Sequence, residues 1–181
     1  MDALVMCGGR GTRIDTPVEK PLYRVGGRPM IDRVLGALAE PMETTYAVVS
    51  PHTPETAAHV DVPTIETDGE GYVADLQTAL SAVEKPVMTV AADLPLLTDA
   101  VVADILAAHE RGSLSVYVPV GLKRDIGVSI DTTVERDGQR LAPTGLNVVG
   151  ERYERRLVYE DERLAVNVNR PDDAAVAERL L

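Results

Sequence analysis

Short runs that are apolar from end to end alternate with segments of helical period, and this alternation restricts the fold more than any other feature. Leu4-Val5-Met6-Cys7, Tyr46-Ala47-Val48-Val49, Pro63-Thr64-Ile65 and Val87-Met88-Thr89-Val90-Ala91 read as strands. Between them, Met30, Ile31, Val34, Leu35 and Leu38 mark one helical face, with Pro29 near its start and Pro41 beyond its end. Tyr72, Leu76, Ala79, Leu80 and Val83 mark a second. Residues 101–109 predict a third helix closed near Gly112, and residues 114–118 another strand. A strand with one wet face alternates apolar and polar residues, whereas a strand apolar throughout is covered on both faces. The expectation is therefore an α/β chain of three layers, a mostly parallel central sheet with helices on both faces.

After Gly121 the pattern changes. Val128-Ile130 and Thr132-Val134 alternate like exposed strands, and Asp137-Gly138 suggests a hairpin turn. Leu146-Val148-Val149 is a further strand, and a last helix starts at Pro171 with Asp172 and Asp173 in its first turn. These segments read as an elaboration of one sheet, so residues 1–181 are expected to form one domain.

The first strand stops at Gly8-Gly9-Arg10-Gly11-Thr12-Arg13, followed by Glu19-Lys20-Pro21 and a second turn at Gly26-Gly27. Glycines without Cβ atoms let a ligand approach the backbone, and bared N–H groups form an anion-binding concavity. Arg10, Arg13 and Lys20 gather three positive charges on a chain of net charge -11. That concentration points to a polyanionic small ligand, most simply a nucleoside triphosphate. The plain alternative is a tight, solvent-facing turn. Two other glycine loops are excluded: no window has Walker spacing, and Gly9-Arg10-Gly11-Thr12-Arg13-Ile14 lacks the third glycine of a dinucleotide fingerprint.

Charge and composition remove other classes. The 29 acidic residues exceed the 18 basic ones, so a nucleic-acid partner is not expected. The lysines are Lys20, Lys85 and Lys123 alone, and the acidic, lysine-poor balance fits a salt-rich cytoplasm. No apolar stretch suggests a membrane span, no signal peptide is expected ahead of Met1-Asp2, and a cytoplasmic location is expected. Cys7 reads as a packing residue, since one cysteine cannot close an internal disulfide. His52, His59 and His109 show no metal-ligand spacing.

In such a sheet ligands lie at the carboxyl ends of the strands. The loop 8–13, Ser50-Pro51-His52-Thr53, Asp68-Gly69-Glu70-Gly71-Tyr72 and Asp93 all fall there. Asp93 can bind Mg²⁺ bridging triphosphate oxygens or cap the following helix. Asn169 can supply an amide oxygen to the same ion or serve the start of the last helix.

Gly-Gly-Arg-Gly-Thr-Arg, Glu-Lys-Pro, Ala-Asp-Leu-Pro and Asn-Val-Asn-Arg-Pro-Asp-Asp, in that order, resemble the nucleotidyltransferase superfamily and its Rossmann-like sheet. Met-Asp-Ala-Leu-Val-Met, Ser-Pro-His-Thr-Pro, Gly-Glu-Gly-Tyr and Leu-Asn-Val-Val resemble its archaeal guanylyltransferases acting on adenosylcobinamide phosphate. The resemblance implies transfer of GMP from GTP to that acceptor, with release of pyrophosphate, in cobalamin assembly. Gly8, Gly9 and Gly11 would wrap the triphosphate, and Arg10, Thr12 and Arg13 would hold its β and γ phosphates. Lys20 would neutralise charge at the α-phosphate. Arg13, Lys20 and Asp93 are the implied catalytic residues, with Mg²⁺ on Asp93 and Asn169. Ser50, His52, Thr53, Asp68, Gly69, Gly71 and Tyr72 would frame the guanine and ribose. Thr144, Gly145 and Asn147 are the candidate acceptor site, the alternative being an ordinary turn with a structural asparagine. The acceptor is already an anionic phosphate, so placement and charge neutralisation suffice without a strong general base. Molybdenum-cofactor guanylyltransferases share the first loop and the Asn-Val-Asn segment, and a non-catalytic GTP-binding protein on the same fold is a further alternative. A homodimer is left open.

Overall fold

The computed structural model describes residues 1–9, 14 and 16–181. In chain order the elements are β1 (Ala3–Met6), a 3₁₀ turn (Lys20–Leu22), β2 (Arg24–Val25), β3 (Arg28–Pro29), α1 (Met30–Leu38), β4 (Thr45–Val49), α2 (Pro54–His59), β5 (Thr64–Glu66), α3 (Tyr72–Ser81), β6 (Val87–Ala91) and α4 (Asp99–Ala108). There follow β7 (Ser113–Pro119), α5 (Val120–Ile126), β8 (Val134–Arg136), β9 (Gln139–Val149), β10 (Glu154–Val158), α6 (Glu162–Ala165) and α7 (Pro171–Leu180).

The main sheet runs β10-β7-β9-β6-β1-β4-β5, with β8 added on β9. β1 pairs in parallel with both β4 and β6, and β4 pairs in parallel with β5. β9 runs against β6 and β7, while β10 returns parallel to β7. The mostly parallel expectation therefore holds around β1, and β9 makes the sheet mixed.

Alternate residues of β1 serve opposite layers, because successive side chains of a strand point to opposite faces. Ala3, Val5 and Cys7 join Ile31, Val34 and Leu38 of α1 and Val101, Val102 and Ile105 of α4 in one core. Leu4 and Met6 join Val48 and Ala79 in the core beneath α3. A third cluster gathers Val25, Met30, Val166 and Val168 against Ala174, Val176 and Ala177 of α7. The wholly apolar β1 is thus explained: both faces are dry.

The region after Gly121 corrects the sequence reading. Val120–Ile126 is a helix, ended by Gly127 at φ 83° in the left-handed region. Residues 128–130 and 132–133 do not form the expected strands, since β8 starts only at Val134. The reason lies in a distant side chain. Asp173 accepts from the Ser129 backbone N–H at 2.7 Å and from its hydroxyl at 2.8 Å, replacing a strand partner. β10 escaped sequence reading because it is a charged edge strand with almost no buried face.

Candidate active site

The carboxyl ends of β1, β4, β5 and β6 surround a cavity of about 450 Å³, within the usual range for small-molecule sites. Its walls include Gly8, Gly9, Lys20, His52, Gly69, Glu70, Gly71, Tyr72 and Asp93. Met6, Cys7, Pro21, Asp75, Ala91 and Ala92 also line it, and the sequence had not marked them as site residues. Arg10, Gly11, Thr12 and Arg13 lie outside the described residues.

Lys20 is held by its neighbours in sequence. The turn containing it closes through Leu22 N–H to Glu19 O at 2.9 Å and Tyr23 N–H to Lys20 O at 3.1 Å. Glu19 reaches across to α2, accepting from the backbone N–H groups of Glu55 and Thr56, each at 2.7 Å, and from the Thr56 hydroxyl at 2.6 Å. A carboxylate at those unpaired N–H groups is favourable to the helix end. The Lys20 backbone is thereby tied to the loop after β4.

The Lys20 ammonium donates to Asp93 Oδ2 at 2.6 Å and to Asn169 Oδ1 at 2.7 Å. Asn167, unmarked by the sequence reading, donates through Nδ2 to Asp93 Oδ1 at 3.0 Å and to the Thr144 carbonyl at 2.9 Å. Asp173 accepts from the backbone N–H groups of Asn169 at 3.0 Å and Arg170 at 2.9 Å, fixing the turn that presents Asn169. Both oxygens of Asp93 are therefore engaged, and Asp93 and Asn169 direct hard oxygen atoms at one cation. That donor set fits Mg²⁺, which takes few protein ligands and completes its shell with water and phosphate oxygens. Among the described residues no group of three or more His, Cys, Asp or Glu side chains is gathered to hold an ion unaided.

The loops after β4 and β5 divide into structural and cavity-facing residues. The Ser50 hydroxyl donates to Gly8 O at 2.9 Å, and the buried Thr53 hydroxyl accepts from Ser50 N–H at 3.1 Å. These two residues brace the floor and are not in the lining. Asp68 is exposed and also outside the lining. Gly69 has φ 70° and packs against the His52 ring, where an added Cβ would lie 3.0 Å from Cδ2. Tyr72 faces the cavity, and its phenol is raised above its usual range by partial burial and by the Asp93 carboxylate. Burial pushes the Cys7 thiol up to about 12, reinforced by Glu19, so Cys7 is a packed thiol as expected.

The acceptor segment differs from its expectation. β9 carries a bulge against β7 between Ser115 and Tyr117. The fully buried Thr144 donates its hydroxyl to Val116 O at 3.0 Å, and Asn147 Oδ1 accepts from Val116 N–H at 3.3 Å. Both side chains satisfy backbone groups that the bulge would leave unpaired, and neither lines the cavity. Gly145 is not in the lining either, but it packs against Ala91, which is. At φ 83°, a Cβ there would lie 2.9 Å from Ala91 Cβ and 3.5 Å from Asn167 Nδ2.

The model of the MobA-like NTP transferase domain matches residues 3–164. The chain belongs to that family. As a MobA-like NTP transferase it is a nucleotidyltransferase, and the cavity occupies the strand ends where such a sheet takes its ligand. An adenosylcobinamide-phosphate guanylyltransferase of Methanocaldococcus jannaschii is 30% identical over 200 aligned positions, covering 100% of this chain and 97% of that protein. The bifunctional protein GlmU of Oenococcus oeni is 23% identical over 93% of this chain, which spans only 38% of GlmU. Among solved structures, the bifunctional IspDF of Campylobacter jejuni superposes with a TM-score of 0.67 at 14% identity, over 97% of this chain and 53% of that one. The transferase thus shares its fold with proteins of quite different sequence.

Proposed function

We propose that the protein transfers GMP from GTP to adenosylcobinamide phosphate, giving adenosylcobinamide-GDP and pyrophosphate. The observation that carries this reading is the end-to-end match to a protein of that name, with 100% of this chain and 97% of the relative aligned.

In this reading an oxygen of the acceptor phosphate attacks the α-phosphorus in line. The bond from that phosphorus to the β-bridging oxygen breaks, and pyrophosphate leaves with the electron pair. Gly8 and Gly9 give the triphosphate close access to the backbone. Lys20, released from Asp93 and Asn169, compensates charge that grows on the α-phosphate and leaving group. Asp93 and Asn169 would hold Mg²⁺, which when bound neutralises charge on phosphate oxygens. Asn167 keeps the Asp93 carboxylate turned toward the cavity. His52 and the 69–72 loop frame the nucleoside, while Ser50 and Thr53 support that frame from below.

The test offers GTP labelled at the α-phosphate together with either cobinamide phosphate or molybdopterin, and resolves the products. Label in a cobinamide-GDP supports the reading. Label transferred only to molybdopterin replaces it with the related molybdenum-cofactor reaction, and GTP binding without transfer to either replaces it with a binding protein.

A further inference from the structure

Asp75 is a buried carboxylate that the reaction described above does not use. It lies in the first turns of α3, is 4% exposed, and lines the cavity. Its Oδ1 accepts from Gly69 N–H at 3.0 Å. Among the described residues, nothing donates to Oδ2 and no ion pair includes it. Oδ2 is nevertheless not sealed in protein, because no fully buried side-chain oxygen among those residues lacks a partner. It lies against Gly8, where an added Cβ would be 3.3 Å away.

A buried carboxylate with one oxygen opening on a ligand cavity calls for a ligand that donates. A nucleoside triphosphate has its phosphates at the glycine loop and Lys20, so the donors that reach this carboxylate come from the nucleoside, the ribose hydroxyls or the base, and only the base can set two donors side by side on one rigid edge. Guanine offers N1–H and a 2-amino group on one edge, two donors matched to a carboxylate. Adenine presents the N1 lone pair on that edge, which a carboxylate repels.

We infer that Asp75 reads the Watson–Crick edge of guanine, with Oδ2 and the second lone pair of Oδ1 accepting from N1–H and the 2-amino group. The inference rests on the guanine-nucleotide reading above and names the residue that sets the base. Gly8 and Gly69, both in contact with this side chain, keep the carboxylate at the cavity surface. The competing role is a staple of the 69–71 turn, which uses Oδ1 alone.

Calorimetry on the native protein and on Asp75→Asn, with GTP, ATP, inosine triphosphate and xanthosine triphosphate, separates the two. The amide oxygen introduced by D75N would still accept from Gly69 N–H, so the turn is retained. The native protein should bind inosine triphosphate roughly 10- to 100-fold more weakly than GTP, as expected for one lost hydrogen bond to a charged group. D75N should lose GTP affinity by a similar factor and bind xanthosine triphosphate better than GTP, because its new amide donor meets the xanthine 2-carbonyl. Unchanged ranking of the four nucleotides in D75N overturns the role of Asp75 while leaving the guanylyl reading intact. Equal binding of ATP and GTP by the native protein overturns both. Should D75N not fold, the inosine comparison on the native protein decides: no loss relative to GTP overturns the inference.

Discussion

The ammonium of Lys20 lies 2.7 Å from Oδ1 of Asn169, a residue 149 positions away in the chain. With Asp93 Oδ2 at 2.6 Å, the pair joins the loop after β1, the loop after β6 and the turn before α7 at one point. A cation already sits between the two oxygens proposed to hold a metal, and that arrangement makes several outcomes measurable.

Lys20→Ala should cut turnover more than it weakens GTP binding. The partner of the ammonium in the reaction is charge that grows toward the transition state, so its contribution is larger there. A loss in kcat on the order of 10²–10³ is expected, as for one electrostatic donor removed. Steady-state kinetics check this, and an unchanged kcat with raised KM would reduce Lys20 to a binding residue.

Asp93→Ala and Asn169→Ala should each weaken the dependence of turnover on Mg²⁺, and the double variant should lose less than the product of the two. Groups that hold one ion are not independent. Titration of kcat against Mg²⁺ in the single and double variants gives the answer. Identical Mg²⁺ curves in all of them would return both residues to local roles at the loop and the helix start.

Glu19→Ala should lower stability by about 1–2 kcal/mol, the cost of a lost N-terminal helix cap. Its carboxylate satisfies two backbone N–H groups and a hydroxyl of α2. Lys20 is the next residue, so turnover should fall as well. Glu19→Gln keeps an acceptor and should lie between. Urea midpoints and kcat for the three proteins test the ordering.

Cys7 should resist alkylation in the folded protein. Its thiol is pushed up to about 12, first by burial and then by Glu19, so almost no thiolate exists near pH 8.5. A folded value above the unfolded value, about 8.5, means the stabilisation is complete below pH 8.5. It is lost as pH rises from there toward 12. Iodoacetamide labelling at pH 8.5 should accelerate sharply on adding urea; equal rates with and without urea would contradict a packed thiol.

The melting temperature should rise with KCl. A net charge of -11 repels itself, and salt screens that repulsion. Thermal scans from low to molar KCl test this, and a flat or falling trend would remove the reading of the composition as a salt adaptation.

The sequence by itself determined the layered α/β sheet around β1. Runs such as Val87-Met88-Thr89-Val90 carry apolar residues on both strand faces, a local pattern that only two covering layers satisfy. It also marked Gly8, Lys20, Asp93 and Asn169, because glycine, a cation and oxygen donors at strand ends carry their chemistry in their type and position. Tertiary structure alone decided the rest, since each remaining feature depends on a partner distant in the chain. Thr144 and Asn147 became bulge residues because Val116 stands opposite them. Residues 128–130 left the sheet because Asp173 accepts from Ser129. Asp75 is unmarked in the sequence, and only the approach of Gly8 and Gly69 shows it as a carboxylate facing the cavity. Apolar periodicity records which side of an element is dry; it holds no record of which polar group waits on the other side of a turn.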